Sequence, residues 1–217
     1  MENNILSFEN TLKKSIEIFK QFNENNDDTL KEEGIILLES AQQMITNNSY
    51  ILYGTKWGVC VEYLFQKFNL DINTDDLLYE LDVFINNKLN TNGLIRYSIQ
   101  EVLWIGDYFL YRFLNEGSQL RYLSKKSIHS TILYYIELFN IPQNQLIYIE
   151  PLFYFPSKAC HELKRWLLLL CEKNIYVEDA TILLDKIYTL EKSDNFLISS
   201  YHEPDFLHEE IYTLLTP

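Results

Sequence analysis

Gly54-Thr-Lys-Trp-Gly-Val-Cys-Val-Glu-Tyr-Leu64, followed by Asn69-Leu-Asp-Ile-Asn-Thr-Asp-Asp-Leu-Leu78 and Glu80-Leu-Asp82, decides the fold. A glycine-punctuated turn feeds a helix expected over 57–69. There Val59, Cys60, Val61, Tyr63, Leu64, Phe65 and Phe68 leave only Glu62, Gln66 and Lys67 polar. A helix apolar nearly all round must be enclosed by neighbours. The acidic turn that follows, with Thr74 as the expected cap, opens a helix over 74–89 whose apolar residues Leu77, Leu81, Phe84, Ile85 and Leu89 form a single stripe. One enclosed helix and one half-exposed helix make a unit of an α-hairpin repeat.

The same alternation extends in both directions. Upstream, residues 5–24 set Leu12, Ile16, Phe19 and Phe22 against Lys13, Glu17 and Lys20. Asn25 to Thr29 breaks that helix, and Thr29 with Glu32 reads as a capping box for a second over 30–46. Downstream, a broad apolar helix is expected over 98–116, stopped by Gly117-Ser118, then a striped one over 118–140. Enclosed and half-exposed helices so recur with a period of about 40–45 residues, as in stacked helix pairs that bury their faces only against neighbours. Pro142, Pro151 and Pro156 bracket two short aromatic runs, so 141–156 reads as an irregular packed connector. Helices over 157–173 and 177–190 follow, then a tail over 191–217 with a last short helix at 205–215. The expectation is one all-α domain over 1–217, with 50–140 its most regular part.

Bulk properties narrow the functional classes. A length of 217 residues with 47% hydrophobic and 15% aromatic content supports a sizeable core and argues against disorder. Only 6 Gly and 5 Pro leave little material for the turns of a sandwich or barrel. The formal charge of −13 argues against nucleic acid, whose phosphates require Lys and Arg, and against an anionic membrane surface. It suits a basic peptide or protein partner. The N-terminus, Met1-Glu-Asn-Asn4, lacks the basic flank and apolar run of a secretory signal. The longest apolar run, Trp166 to Cys171, is far short of the roughly 20 residues that span a bilayer. Cys60, Cys160 and Cys171 sit in apolar helical patterns, the expected place of reduced thiols in a cytoplasmic protein.

The segment from about Tyr50 to Phe139 resembles the lanthionine-synthetase cyclase family, in particular its short cyclase-like members from Bacteroidetes peptide-modification clusters. The matching positions are Gly54, Trp57-Gly58, Glu62-Tyr63-Leu64, the acidic turn Asp71 to Leu78 with Asp82, and Gly106-Asp-Tyr-Phe-Leu-Tyr-Arg112. The resemblance implies a toroid-like arrangement of inner and outer helices, present here in part. It also implies, for cyclase members, a zinc ion held by two Cys and one His that lowers a substrate thiol's pKa. The family's Trp-Cys-Tyr-Gly motif does not occur in this sequence, and Cys160-His161 is followed by Glu162 in place of glycine. No metal, cofactor or lanthionine-forming activity is therefore expected.

Other chemistry-bearing patterns are sparse. His129, His202 and His208 have no companion at metal-ligand spacing, and no phosphate loop, nucleophile elbow or His-Glu-x-x-His helix occurs. Asp75-Asp76 and Glu32-Glu33 stand where carboxylates favour a helix dipole. The broad fifth helix holds Glu101, Asp107 and Arg112, and buried charge of that kind must find partners. Trp104, Asp107, Tyr111 and Arg112 are the candidate peptide- or partner-contacting residues, at the mouth of a ring. Tyr148, Phe153, Tyr154 and Phe155 are an aromatic load that reads as core under the connector or, alternatively, as a peptide-contacting patch. The functional expectation is a non-catalytic accessory protein that binds a precursor peptide or a modifying enzyme during ribosomal peptide maturation. The alternative is an immunity- or antitoxin-like protein that neutralises a basic toxin.

Overall fold

The computed structural model describes residues 2–46, 50–68, 70, 73–94, 97–115, 121–140 and 157–191. The connector expected at 141–156, the Gly117-Ser118 stop and the tail beyond Glu191, with His202 and His208, lie outside them.

Among the described residues the elements are eight α-helices and no strand: α1 Glu2–Asn25, α2 Asp28–Gln43, α3 Tyr50–Phe68, α4 Thr74–Asn92, α5 Ile99–Leu114, α6 Arg121–Leu138, α7 Ser157–Glu172 and α8 Val177–Glu191. The odd-numbered helices pack in a row, α1 on α3, α3 on α5 and α5 on α7. Each even helix folds back on the odd helix before it, and α2 also touches α3 while α8 touches α6. The chain is thus four hairpins side by side. The odd helices begin at residues 2, 50, 99 and 157, so the repeat is 48, 49 and then 58 residues, longer than the periodicity alone implied.

Helix starts correct several expectations. Asp27, not Thr29, caps α2: its carboxylate accepts from the Thr29 amide at 3.0 Å and from the Thr29 hydroxyl at 2.8 Å. Asn73 rather than Thr74 caps α4, accepting from the Asp75 amide at 3.1 Å. Ser98 and Glu101 form a reciprocal capping box on α5, which accounts for Glu101. The largest correction concerns α3. Gly54-Thr55-Lys56 is not a turn, because the helix already runs from Tyr50, and the Thr55 hydroxyl bonds back to the Ile51 carbonyl at 2.7 Å. A glycine inside a helix costs only about 1 kcal/mol, which burial of a whole helix face exceeds.

Burial follows the enclosed and half-exposed alternation. Every residue of α3 from Tyr53 to Leu64 and of α5 from Val102 to Arg112 is buried. On α4 Leu81 and Ile85 of the expected stripe are buried and Phe84 and Leu89 pack against the core, while Leu78 and Asp82 also turn in and Leu77 is 41% exposed. On α6 Leu133 likewise turns outward, while Ser124, Ser127, Thr131 and Tyr135 face in. Small residues let the odd helices approach. A Cβ at Gly58 would stand 2.4 Å from Tyr108 Cε2, and one at Gly106 would stand 2.9 Å from Trp166 Cζ2. At the far end, Tyr176 takes a positive φ of 45°. Its ring stacks on His129 of α6 at 4.7 Å, which helps hold α8 against α6 despite the backbone strain. No described helix is long and apolar enough to cross a membrane.

Candidate functional site

Arg112, near the end of α5, is 0% exposed and lies where α3, α4 and α5 meet. Its Nη1 donates to Glu62 Oε1 of α3 at 2.6 Å. Its Nη2 donates to Asp75 Oδ1 and Asp82 Oδ2 of α4, both at 2.7 Å. Tyr108, one turn back on α5, donates from its hydroxyl to Asp82 Oδ1 at 2.6 Å. Asn115 Nδ2 donates to Glu62 Oε2 and Thr74 Oγ1, each at 3.0 Å. Glu62, Thr74, Asp75, Asp82, Tyr108, Arg112 and Asn115 thus converge on one network, and Gly58 permits the Tyr108 ring to reach it.

One guanidinium faces three carboxylates, two of them in the interior. Burial pushes Glu62 and Asp82 above their ordinary values, and the contacts with Arg112 only partly offset it. Burial, and then the Asp82 charge, raises the Tyr108 hydroxyl well above 10.0. Raised carboxylates bind protons more tightly in the native than in the unfolded chain. Their stabilising contribution is therefore complete below 4.5 for Glu and 3.8 for Asp, and is lost as pH rises through the raised native values. Thermal unfolding midpoints should accordingly fall as pH is raised out of the ordinary carboxylate range. Glu62→Gln should flatten that slope, and an unchanged slope in the variant would contradict the linkage.

The four predicted contact residues do not form one cluster. Asp107 and Arg112 are five residues apart on α5, about 140° around the helix, and Arg112 spends its donors on α3 and α4. Asp107 lies instead among tyrosines. Burial and then the Asp107 charge raise Tyr111, while burial, Tyr134, Asp107 and Glu162 together raise Tyr135. Trp104 lies under the ammonium of Lys56, whose Nζ sits 5.0 Å from the indole and also pairs with Glu9 of α1. All four predicted side chains are fully enclosed, so a partner docking on the surface as it stands meets other residues. Sequence reading missed Glu62 and Asp82 as Arg112 partners. The available signal was Glu62 itself, a carboxylate within the wholly buried stretch of α3.

The residues do not fit the zinc site implied by the resemblance. Cys160 is buried and His161 exposed, so the adjacent pair diverges from α7. Among the described residues no three His, Cys, Asp or Glu side chains are gathered to hold a metal ion. Cys60 is enclosed, and burial drives its thiol far above the ordinary range, the reverse of an activated nucleophile.

The surface charge is uneven. Helix α2 carries Asp28, Glu32, Glu33 and Glu39 against Lys31, and α4 exposes Asp76 and Glu80, its Asp75 and Asp82 being turned to Arg112. Helix α6 is the opposite, with Arg121, Lys125 and Lys126 against Glu137. Between α2 and α4, over the middle of α3, lies a groove of about 500 Å³ reaching Trp57, Ile45, Leu77 and Leu81, with Asp76 and Glu80 on its lip. A second groove of about 490 Å³, between α4 and α6, is lined by Leu89, Leu123, Leu133 and Tyr134 with Lys126 and Glu137. No family model, curated protein or solved structure matches this chain.

Proposed function

We propose that this protein is a non-catalytic helical binding protein for a basic polypeptide. The observation that carries the reading is the uneven placement of charge. A chain of formal charge −13 directs its buried cations, Arg112 and Lys56, onto its own carboxylates and gathers further acid on the outer helices α2 and α4. Such a surface attracts a cationic partner from a distance and raises its association rate.

The resemblance to cyclase-like proteins supplies the setting: an accessory in ribosomal peptide maturation, acting in the cytoplasm on a precursor peptide or a modifying enzyme. It also suggests that the row of hairpins is an arc of a toroid. The same acidity favours a second reading, an immunity-like protein that covers a basic toxin. Neighbouring genes distinguish the two, a precursor peptide with a dehydratase or radical enzyme on one side and a basic toxin on the other. The binding itself is tested with the purified protein and the peptide or protein products of adjacent genes. Binding of a basic product, weakening as salt is raised, is the expected outcome. Indifference to every neighbouring product, or a preference for an acidic one, would remove the proposal.

A further inference from the structure

We infer that the groove between α2 and α4 is the docking site, and that its occupant is a cationic peptide segment combining Arg or Lys with apolar side chains. The inference rests on the reading of the protein as a binder of basic polypeptide and adds where and how the partner sits.

The floor and the lip of this groove ask for different chemistry. Trp57 lies beneath it and is fixed, since its Nε1 donates to the Leu38 carbonyl at 3.0 Å. Leu81 and Ile45 complete an apolar bed, and Leu77 and Tyr79, the latter 59% exposed, extend it to the surface. Large apolar groups left in water beside a concave bed are the usual mark of a contact surface. Asp76 and Glu80 stand on the same side of α4, one turn apart, both exposed. Like charges at that spacing repel mildly, and an incoming cation reverses the sign of the pairing. The Asp76 carboxylate accepts from the Asn73 amide group at 2.8 Å, which orients it without neutralising it.

Charge complementarity selects the occupant. A second copy of this chain brings −13 of its own and is repelled. A small polyamine satisfies the carboxylates but leaves Leu77 and Tyr79 in water. A peptide carrying both kinds of side chain satisfies both parts, with apolar anchors in the bed and cations at the lip. The α4–α6 groove lacks this selectivity, because Lys126 and Glu137 on its walls nearly balance.

The test uses the full chain and a fluorescein-labelled amphipathic peptide with arginines and leucines on one face, followed by polarisation. An otherwise identical peptide with glutamates for the arginines, and spermine, serve as comparisons. Asp76→Lys with Glu80→Lys should weaken the arginine peptide tenfold or more, since like charge at a docking lip is strongly unfavourable. Glu178→Lys with Asp185→Lys, exposed on α8 and equal in charge change, should leave binding within about twofold. Intrinsic fluorescence should shift on binding, and Trp57→Phe should abolish the shift. Equal losses in the two charge-reversed variants, or spermine binding as tightly as the peptide, would overturn the groove assignment while leaving an acidic binder in place. No binding of the arginine peptide by the unaltered protein would overturn the functional reading itself.

Discussion

Arg112→Met should destabilise the protein by about 3–5 kcal/mol, the usual cost of removing one partner from a buried ion pair. Methionine replaces the aliphatic stem but ends near the position of Nε, so the change removes the guanidinium with its charge and leaves a small void. What remains are Glu62 and Asp82, both buried, with Tyr108 and Asn115 as their neutral donors. Neutral donors cannot replace a guanidinium that served three carboxylates at once. The measurement is urea unfolding, where the midpoint should fall with little change in slope. Arg112→Lys should recover only part of the loss, because one ammonium cannot reproduce the forked geometry toward α3 and α4. Adding Glu62→Gln and Asp82→Asn to Arg112→Met should restore much of the stability, since the buried negative charge then disappears along with its counter-ion. A methionine variant as stable as the parent would mean that water already reaches the network.

Gly58→Ala comes second. In an unconstrained helix this exchange stabilises by about 1 kcal/mol. Here the new methyl would meet Tyr108 Cε2 at 2.4 Å and Leu81 Cδ2 at 2.9 Å. The tyrosine cannot easily withdraw, because its hydroxyl is bonded to Asp82 and its ring is packed edge-on against Phe109 at 5.2 Å. Overpacking of this kind costs about 1–3 kcal/mol, so the expected sign is destabilising despite the better helix former. A double-mutant cycle with Tyr108→Leu should show the alanine tolerated once the ring is smaller. A more stable single alanine variant, read by thermal unfolding, would show that α3 and α5 can part without loss.

The hairpin architecture was legible because enclosed and half-exposed helices differ in how far apolar residues spread around them. That property depends on local sequence alone. The misreading of α3 shows where local reasoning stops. A glycine can turn a chain or sit within a helix: Gly54 reads in the first role but lies inside α3, where Gly58, one turn on, lets Tyr108 come close. On α4 one member of the expected stripe changes for a related reason. Asp82 faces inward to meet Arg112, and Leu78 rather than Leu77 turns in with it. Arg112 was recognised as a charge needing partners, but Glu62 and Asp82 lie 50 and 30 residues earlier, beyond the reach of helical periodicity. That Asp107 and Arg112 point about 140° apart on α5 is geometry the sequence does contain.

Asp75 and Asp76 are chain neighbours that look in opposite directions, the first toward the guanidinium and the second toward the open furrow beside α2. The opening turn of α4 is therefore a lever with its fulcrum inside the molecule. Tilting this turn to widen the furrow would stretch the Asp75–Arg112 bond, so under the proposed binding role little of the interaction energy would be spent on reshaping it.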